Sequence, residues 1–190
     1  MSQNKPKEPL KIALTGRMGS GKDAVGDILY KKHRFYEFAF GDALKKCAHE
    51  IFRDVPENPK PRELYQFMNV MREYDPDVWI KHVARKVEIY EELFGTTQGF
   101  VITDVRAQNE FDWAKTNGFK VVRVSVPDDI QAKRLAERDG GFDPKHLAHE
   151  TEQLADTFDV DFEIVNDGSI DDLKARVGEM VRYFTEEAVN

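Results

Sequence analysis

Residues 15–23 read Thr15-Gly16-Arg17-Met18-Gly19-Ser20-Gly21-Lys22-Asp23, a G-x-x-x-x-G-K pattern that ends in aspartate instead of serine or threonine. An apolar strand, Ile12-Ala13-Leu14, precedes it, and a helix-compatible run through Val25, Ile28 and Leu29 follows. The glycines at 16, 19 and 21 permit backbone angles and close approaches that a side chain would block. Successive amide N–H groups can then turn inward and, with the positive end of the following helix, hold a polyphosphate. Gly16, Arg17, Gly19, Ser20, Gly21, Lys22 and Asp23 are therefore the candidate nucleotide-binding residues. Lys22, expected on a solvent-facing loop, is placed to neutralise the β and γ phosphates. The carboxylate of Asp23 is a hard magnesium ligand and suits the first turn of a helix. The plain alternatives are a tight turn for the loop and an N-terminal helix aspartate for Asp23.

Asp104 follows a continuous apolar strand, Gly99-Phe100-Val101-Ile102-Thr103, where a second metal-associated carboxylate would stand. Arg106, two residues on, has the fork that pairs bidentately with phosphate oxygens. Arg134 and Arg138 are four apart on one helix and share a face. They could close over a transferring phosphoryl group, or belong to a solvated face with Glu137 and Asp139. Arg62 and Arg72 are candidates to hold an acceptor phosphate. His146 and His149, three apart, are the only histidines with metal-ligand spacing, and no carboxylate supports a zinc site there.

The elements that must position these residues alternate. Helices are expected over Lys22–Lys32, Ala43–Phe52 (capped by Asp42), Arg62–Met71, Asp77–Leu93, Asn109–Thr116, Asp129–Arg138, Lys145–Ala155 and Ile170–Ala188. Strands are expected near residues 12–14, 35–40, 99–103, 120–126 and 162–165, with a proline-rich loop over Val55–Pro61. Alternating strands and helices imply a parallel sheet, whose carboxyl-end edge would gather the glycine loop, Gly41-Asp42, Asp104-Val105-Arg106 and the turn at Pro127.

A chain of 190 residues fits one domain, with residues 1–9 as a frayed tail. Net charge -7 argues against a long nucleic acid as partner, which needs a basic footprint. Cys47, the single cysteine, excludes an internal disulfide and reads as a small core residue. No signal peptide or membrane-length apolar run is present, so a cytoplasmic protein is expected.

Several blocks resemble the nucleoside monophosphate kinases, and most closely the deoxynucleoside monophosphate kinase family of phages and bacteria. They are Gly16–Asp23, Phe40-Gly41-Asp42-Ala43-Leu44-Lys45, Arg62 through Arg72 to Asp75-Pro76-Asp77-Val78-Trp79, Thr103-Asp104-Val105-Arg106 with Asn109-Glu110, and His149-Glu150-Thr151-Glu152 before Phe158–Phe162. The same chain is similar to animal-type phosphomevalonate kinases. Asn69-Val70-Met71 departs from the pattern, where a glycine is expected. The resemblance implies an α/β three-layer fold with a five-stranded parallel sheet in order 2-3-1-4-5. It also implies ATP and Mg²⁺, a small phosphate acceptor, and Asp42, Lys45, Arg62, Arg72 and Trp79 as acceptor-site residues. Residues 41–93 would form the acceptor region and 128–155 the lid. Lys22, Asp104, Arg106, Arg134 and Arg138 would act in transfer, with Asp23 and Asp104 holding the metal. A nucleotide-binding switch without an acceptor is the reading from another class, although no Asn-Lys-x-Asp base-reading motif is present.

Overall fold

The computed structural model describes residues 9–94, 98–139 and 150–187, and the backbone alone of 138–139 and 150–153. Five parallel strands, β1 (Lys11–Thr15), β2 (Tyr36–Phe38), β3 (Phe100–Ile102), β4 (Lys120–Ser125) and β5 (Phe162–Val165), lie in the order β2-β3-β1-β4-β5. The expected order 2-3-1-4-5 is the observed one. β1 sits at the centre, Ile12 to Thr15 are inaccessible, and Ala13 faces Ile102 on one side and Val121 on the other.

Side chains alternate across the sheet as the strand pleat requires. Ala13, Phe100, Ile102 and Val121 face one apolar cluster, while Ile12, Leu14, Val101, Val122 and Val124 face a second. Helices α1 (Lys22–His33) and α9 (Ile170–Glu187) close the second cluster through Val25, Leu29, Val177 and Met180. The first is closed by α2 (Phe40–Ile51), α3 (Arg62–Asn69), α5 (Val78–Phe94) and α6 (Gln108–Thr116). A parallel sheet must be covered on both faces, and here it is.

Two short elements differ from expectation. The aromatic run after Phe35 gives a strand of only three residues, and Phe40 already begins α2. Expected helix 62–71 divides at Val70 into α3 and the single turn α4 (Met71–Tyr74). Further along, α7 (Asp128–Asp139) and α8 (Glu150–Thr157) flank residues outside the described set, where His146 and His149 lie. Cys47 is partly buried against the first cluster, as expected of a small core residue.

Candidate active site

Each strand hands one piece of the site to the carboxyl edge of the sheet. After β1 the glycine loop turns with φ of 135° at Gly16, 79° at Gly19 and 99° at Gly21. A Cβ on Gly16 would lie 2.2 Å from the Val124 carbonyl oxygen of β4, so the loop packs against the sheet only because that atom is missing. Beyond β5, the Asn166 side-chain amide donates to the Ser20 carbonyl at 2.8 Å and pins the loop's far limb. Gln131 of α7 donates to the Met18 carbonyl at 2.6 Å.

Gly21 is the N-cap of α1, and the first helical bond runs from Val25 N–H to Gly21 O at 3.0 Å. The amides of the first turn therefore stand ahead of the helical ladder, at the positive end of the helix, where an anion satisfies them. Lys22 corrects the sequence expectation. It is buried, 6% exposed, and its ammonium donates to the carbonyls of Gly16 and, at 2.9 Å, Arg17. Folded back over its own loop, it holds the cradle in shape. Ser20 Oγ is buried there without a hydrogen-bond partner among the described residues. This cradle, held open by glycine and carrying a cation, fits a polyphosphate.

Arg17 points elsewhere. Its guanidinium pairs with Asp128, the first residue of α7, at 3.2 Å and with Asp156 of α8 at 2.5 Å. The loop is thus tied to the first residue of the segment expected to be a lid and to the residue just after it. Arg134 is partly buried on α7, and the side chain of Arg138 lies outside the described residues.

Past β3, Asp104 accepts from the backbone N–H of Phe40 at 2.7 Å and of Gly41 at 2.8 Å. Asp42 does not cap this helix, because α2 starts two residues before it. The cap comes from Asp104, across the sheet edge, in the role an N-cap side chain normally fills. Gly41 keeps the approach open, since a Cβ there would stand 3.2 Å from the carboxylate. Burial pushes the Asp104 carboxyl above the usual aspartate range. The Gly41 and Phe40 amides pull it down, the Glu110 charge raises it, and Arg106 lowers it.

Glu110 organises the next turn. Inaccessible to solvent but for 2% of its surface, it accepts from the N–H of Arg106 at 2.8 Å and of Ala107 at 3.0 Å through one oxygen. Its other oxygen takes Arg72 Nη2 at 2.6 Å. Asn69 Oδ1 accepts from Arg72 Nε at 2.9 Å. Sequence reasoning did not single out Glu110 for this role. The signal available was a carboxylate three residues after the helix N-cap, the spacing of a capping box.

These groups line one cavity of about 1100 Å³, which includes Asp23, Asp104, Arg106, Arg72, Lys45 and Trp79. Asp42, Tyr65, Lys60 and Glu37 also border it. The structure therefore brings together most of the acceptor-side residues expected from the sequence. Arg62 is the exception: it is exposed and outside the lining, whereas Lys60 contributes to it. Trp79 is 5% exposed and serves the core as well as the wall.

Charges in the cavity separate into two groups. Glu37, a lone carboxylate in an aromatic strand and missed in the sequence, is pushed up by burial and then by the charges of Asp27, Asp23 and Asp42, with Lys31 opposing. Burial works against the Lys45 ammonium, but its bond to Asp42 at 2.9 Å and the charge of Asp104 outweigh that and raise its pKa. Carboxylates that raise one another are relieved by a cation placed among them. No group of three or more His, Cys, Asp or Glu suited to a metal occurs among the described residues. Asp23 and Asp104 both line the cavity and are the carboxylates available to an ion that takes its remaining ligands from phosphate and water.

Residues 12–153 match the family described as AAA domain. A protein of Acanthamoeba polyphaga mimivirus named "Putative deoxynucleotide monophosphate kinase" is 27% identical over 145 residues, 61% of this chain and 74% of that protein. A sugar kinase from Janibacter sp. HTCC2649 superposes with a TM-score of 0.57 at 15% identity, covering 88% of this chain and 91% of its own. A gluconokinase from Sinorhizobium meliloti 1021 gives 0.54 at 15% identity, covering 95% and 98%. At such identities the likeness is one of fold. No described helix is long and apolar enough to cross a membrane.

Proposed function

The chain belongs to the AAA domain family, and we propose that it is a kinase moving the γ-phosphoryl group of ATP to the phosphate of a deoxynucleoside monophosphate. One observation carries this reading. Asp23, which closes the glycine loop, shares a single cavity with Asp104 and with a set of cations, Arg72, Arg106 and Lys45, suited to a second phosphate. A switch that only bound a triphosphate would have no use for that second set.

The loop amides and Lys22 hold the donor's phosphates, and Asp23 and Asp104 would hold the magnesium ion. When bound, the ion would supply positive charge against the negative charge that develops in transfer. Arg106 and Arg72 orient the acceptor phosphate, and Arg106 and Arg134 balance the charge that develops in transfer, the role proposed also for Arg138, whose side chain lies outside the described residues. The acceptor's phosphate oxygen attacks phosphorus in line and ADP leaves, with no covalent intermediate on the protein. We assign residues 41–93 to the acceptor region and 128–155, of which 140–149 lie outside the described residues, to the lid.

Two features favour a nucleotide over a smaller acceptor. The cavity, about 1100 Å³, lies just above the ordinary range of ligand sites, about 300–1,000 Å³. Tyr65 and Trp79 also give it aromatic surface on which a base can pack. The test is to incubate the protein with ATP, Mg²⁺ and each of the four deoxynucleoside monophosphates, with phosphomevalonate in parallel, and to resolve the products. A deoxynucleoside diphosphate is expected. Phosphorylation of phosphomevalonate alone would reassign the acceptor, and ATP binding without any acceptor product would remove the kinase reading.

A further inference from the structure

We propose that Glu110 is the positioning residue that makes the acceptor-phosphate site, holding Arg72 and the Arg106 turn in one geometry. The inference rests on the kinase reading and deepens it. Glu110 sits in the first turn of α6, and its two oxygens do different work. One gathers the N–H groups of Arg106 and Ala107 at 2.8 and 3.0 Å, fixing the backbone from which the Arg106 side chain projects. The other holds Arg72 Nη2 at 2.6 Å, although Arg72 comes from α4, an exposed single turn with no buried residue. Asn69 fixes the same guanidinium through Nε, and Nη1 takes part in neither bond. Arg72 is 26% exposed and Glu110 3% exposed at the side chain, so the pair lies at the cavity wall with its anion inside and its cation toward the opening.

This arrangement has a physical purpose. An arginine on a four-residue helix has many rotamers to lose when it binds phosphate, and that entropy subtracts from affinity. A buried carboxylate that already holds one edge of the guanidinium removes most of the loss beforehand. It also makes the position of Arg72 depend on the same atom set as the Arg106 turn. An acceptor phosphate would then meet two cations at a fixed separation. The charge on Glu110 matters separately from its shape. Glutamine at this position can still accept from the Arg106 and Ala107 amides with its carbonyl oxygen, but it presents an NH₂ group to Arg72.

Three variants, Glu110→Gln, Arg72→Ala and the double substitution, separate positioning from folding. Calorimetry with dTMP and with a non-hydrolysable ATP analogue reads the two sites without turnover. Acceptor KM and kcat are then measured in the kinase assay. Glu110→Gln is expected to weaken dTMP binding on the order of tenfold, the scale of losing a charge-assisted hydrogen bond, and to leave the ATP-analogue Kd unchanged. The double variant should be no weaker than Arg72→Ala alone, since Glu110 acts through Arg72. Unchanged dTMP affinity in a folded Glu110→Gln protein would overturn the proposal. So would equal losses at both sites, or effects that multiply in the double variant. Wild type that binds dTMP but transfers nothing refutes the kinase and leaves the positioning role testable by Kd alone, whereas wild type that binds no monophosphate refutes both.

Discussion

Gly21→Ala isolates what the glycine loop requires of its backbone. Gly21 has φ 99°, where an alanine is strained by about 1–2 kcal/mol. Its added Cβ would lie 2.2 Å from Asn166 Nδ2, a distance no real contact reaches, so the Asn166 amide must leave. Its 2.8 Å bond to the Ser20 carbonyl goes with it, stranding a buried acceptor at about 1–3 kcal/mol. Together the substitution should destabilise the fold by about 2–5 kcal/mol, a large share of a typical domain's stability. Gly118 supplies the control: its φ is 76° but a Cβ would meet nothing within 4 Å, so Gly118→Ala should cost the strain alone, about 1–2 kcal/mol. Asn166→Ala already lacks the lost bond, so adding Gly21→Ala to it should cost only the strain. The pair would be non-additive by about 1–3 kcal/mol. Urea unfolding at constant m reads all four proteins. Additive costs for Gly21 and Asn166, or a Gly21→Ala protein no less stable than Gly118→Ala, would refute the packing argument.

Lys22→Met should reduce phosphoryl transfer on the order of 10²–10³-fold, as loss of a transition-state donor does. Because the Lys22 ammonium also braces the Gly16 and Arg17 carbonyls, it should lower stability by about 1 kcal/mol per lost bond, read by turnover and urea midpoint together. Asp23→Asn should bind metal-free ATP more tightly, having one less negative charge beside the phosphates, yet need more Mg²⁺ for half-maximal turnover; calorimetry in EDTA and a magnesium titration check the two signs. Asp104 has a carboxyl raised by burial, so in metal-free buffer the folded chain keeps its proton at a pH where the unfolded chain has lost it. Between the ordinary aspartate value and the raised one, the stability this group contributes falls as pH rises, and Asp104→Asn should flatten that slope in urea midpoints taken from acid to neutral pH.

The loop and the carboxylate after β3 were legible because each rests on a local pattern, a glycine spacing and an apolar strand followed by aspartate, whereas the sheet order came from the family resemblance. Other features depend on contacts between distant segments. Asp42 looked like the α2 cap because it precedes a helical run. Asp104, 64 positions from Phe40, supplies the cap because β2 and β3 are paired and their ends meet. That long-range carboxylate starts α2 at Phe40 and shortens the aromatic strand. Lys22 appeared exposed because the motif places it beside phosphate, and only the loop's curvature brings the Gly16 carbonyl under its ammonium. The charge pattern of residues 60–62 did not reveal which cation borders the cavity. Lys60 does, and Arg62, the first residue of α3, does not. Glu37 was hidden inside an aromatic run, where alternation alone marks it as the residue turned away from the first apolar cluster.

The most direct measurement is a crystal structure with a non-hydrolysable ATP analogue and Mg²⁺. Its β and γ phosphates should lie within hydrogen-bond distance of the amides of residues 19–23, with Lys22 swung from the Gly16 carbonyl onto phosphate oxygen and the ion between Asp23 and Asp104. Triphosphate bound elsewhere, or an ion held by neither aspartate, would contradict the assignment of this edge of the sheet as the place of phosphoryl transfer.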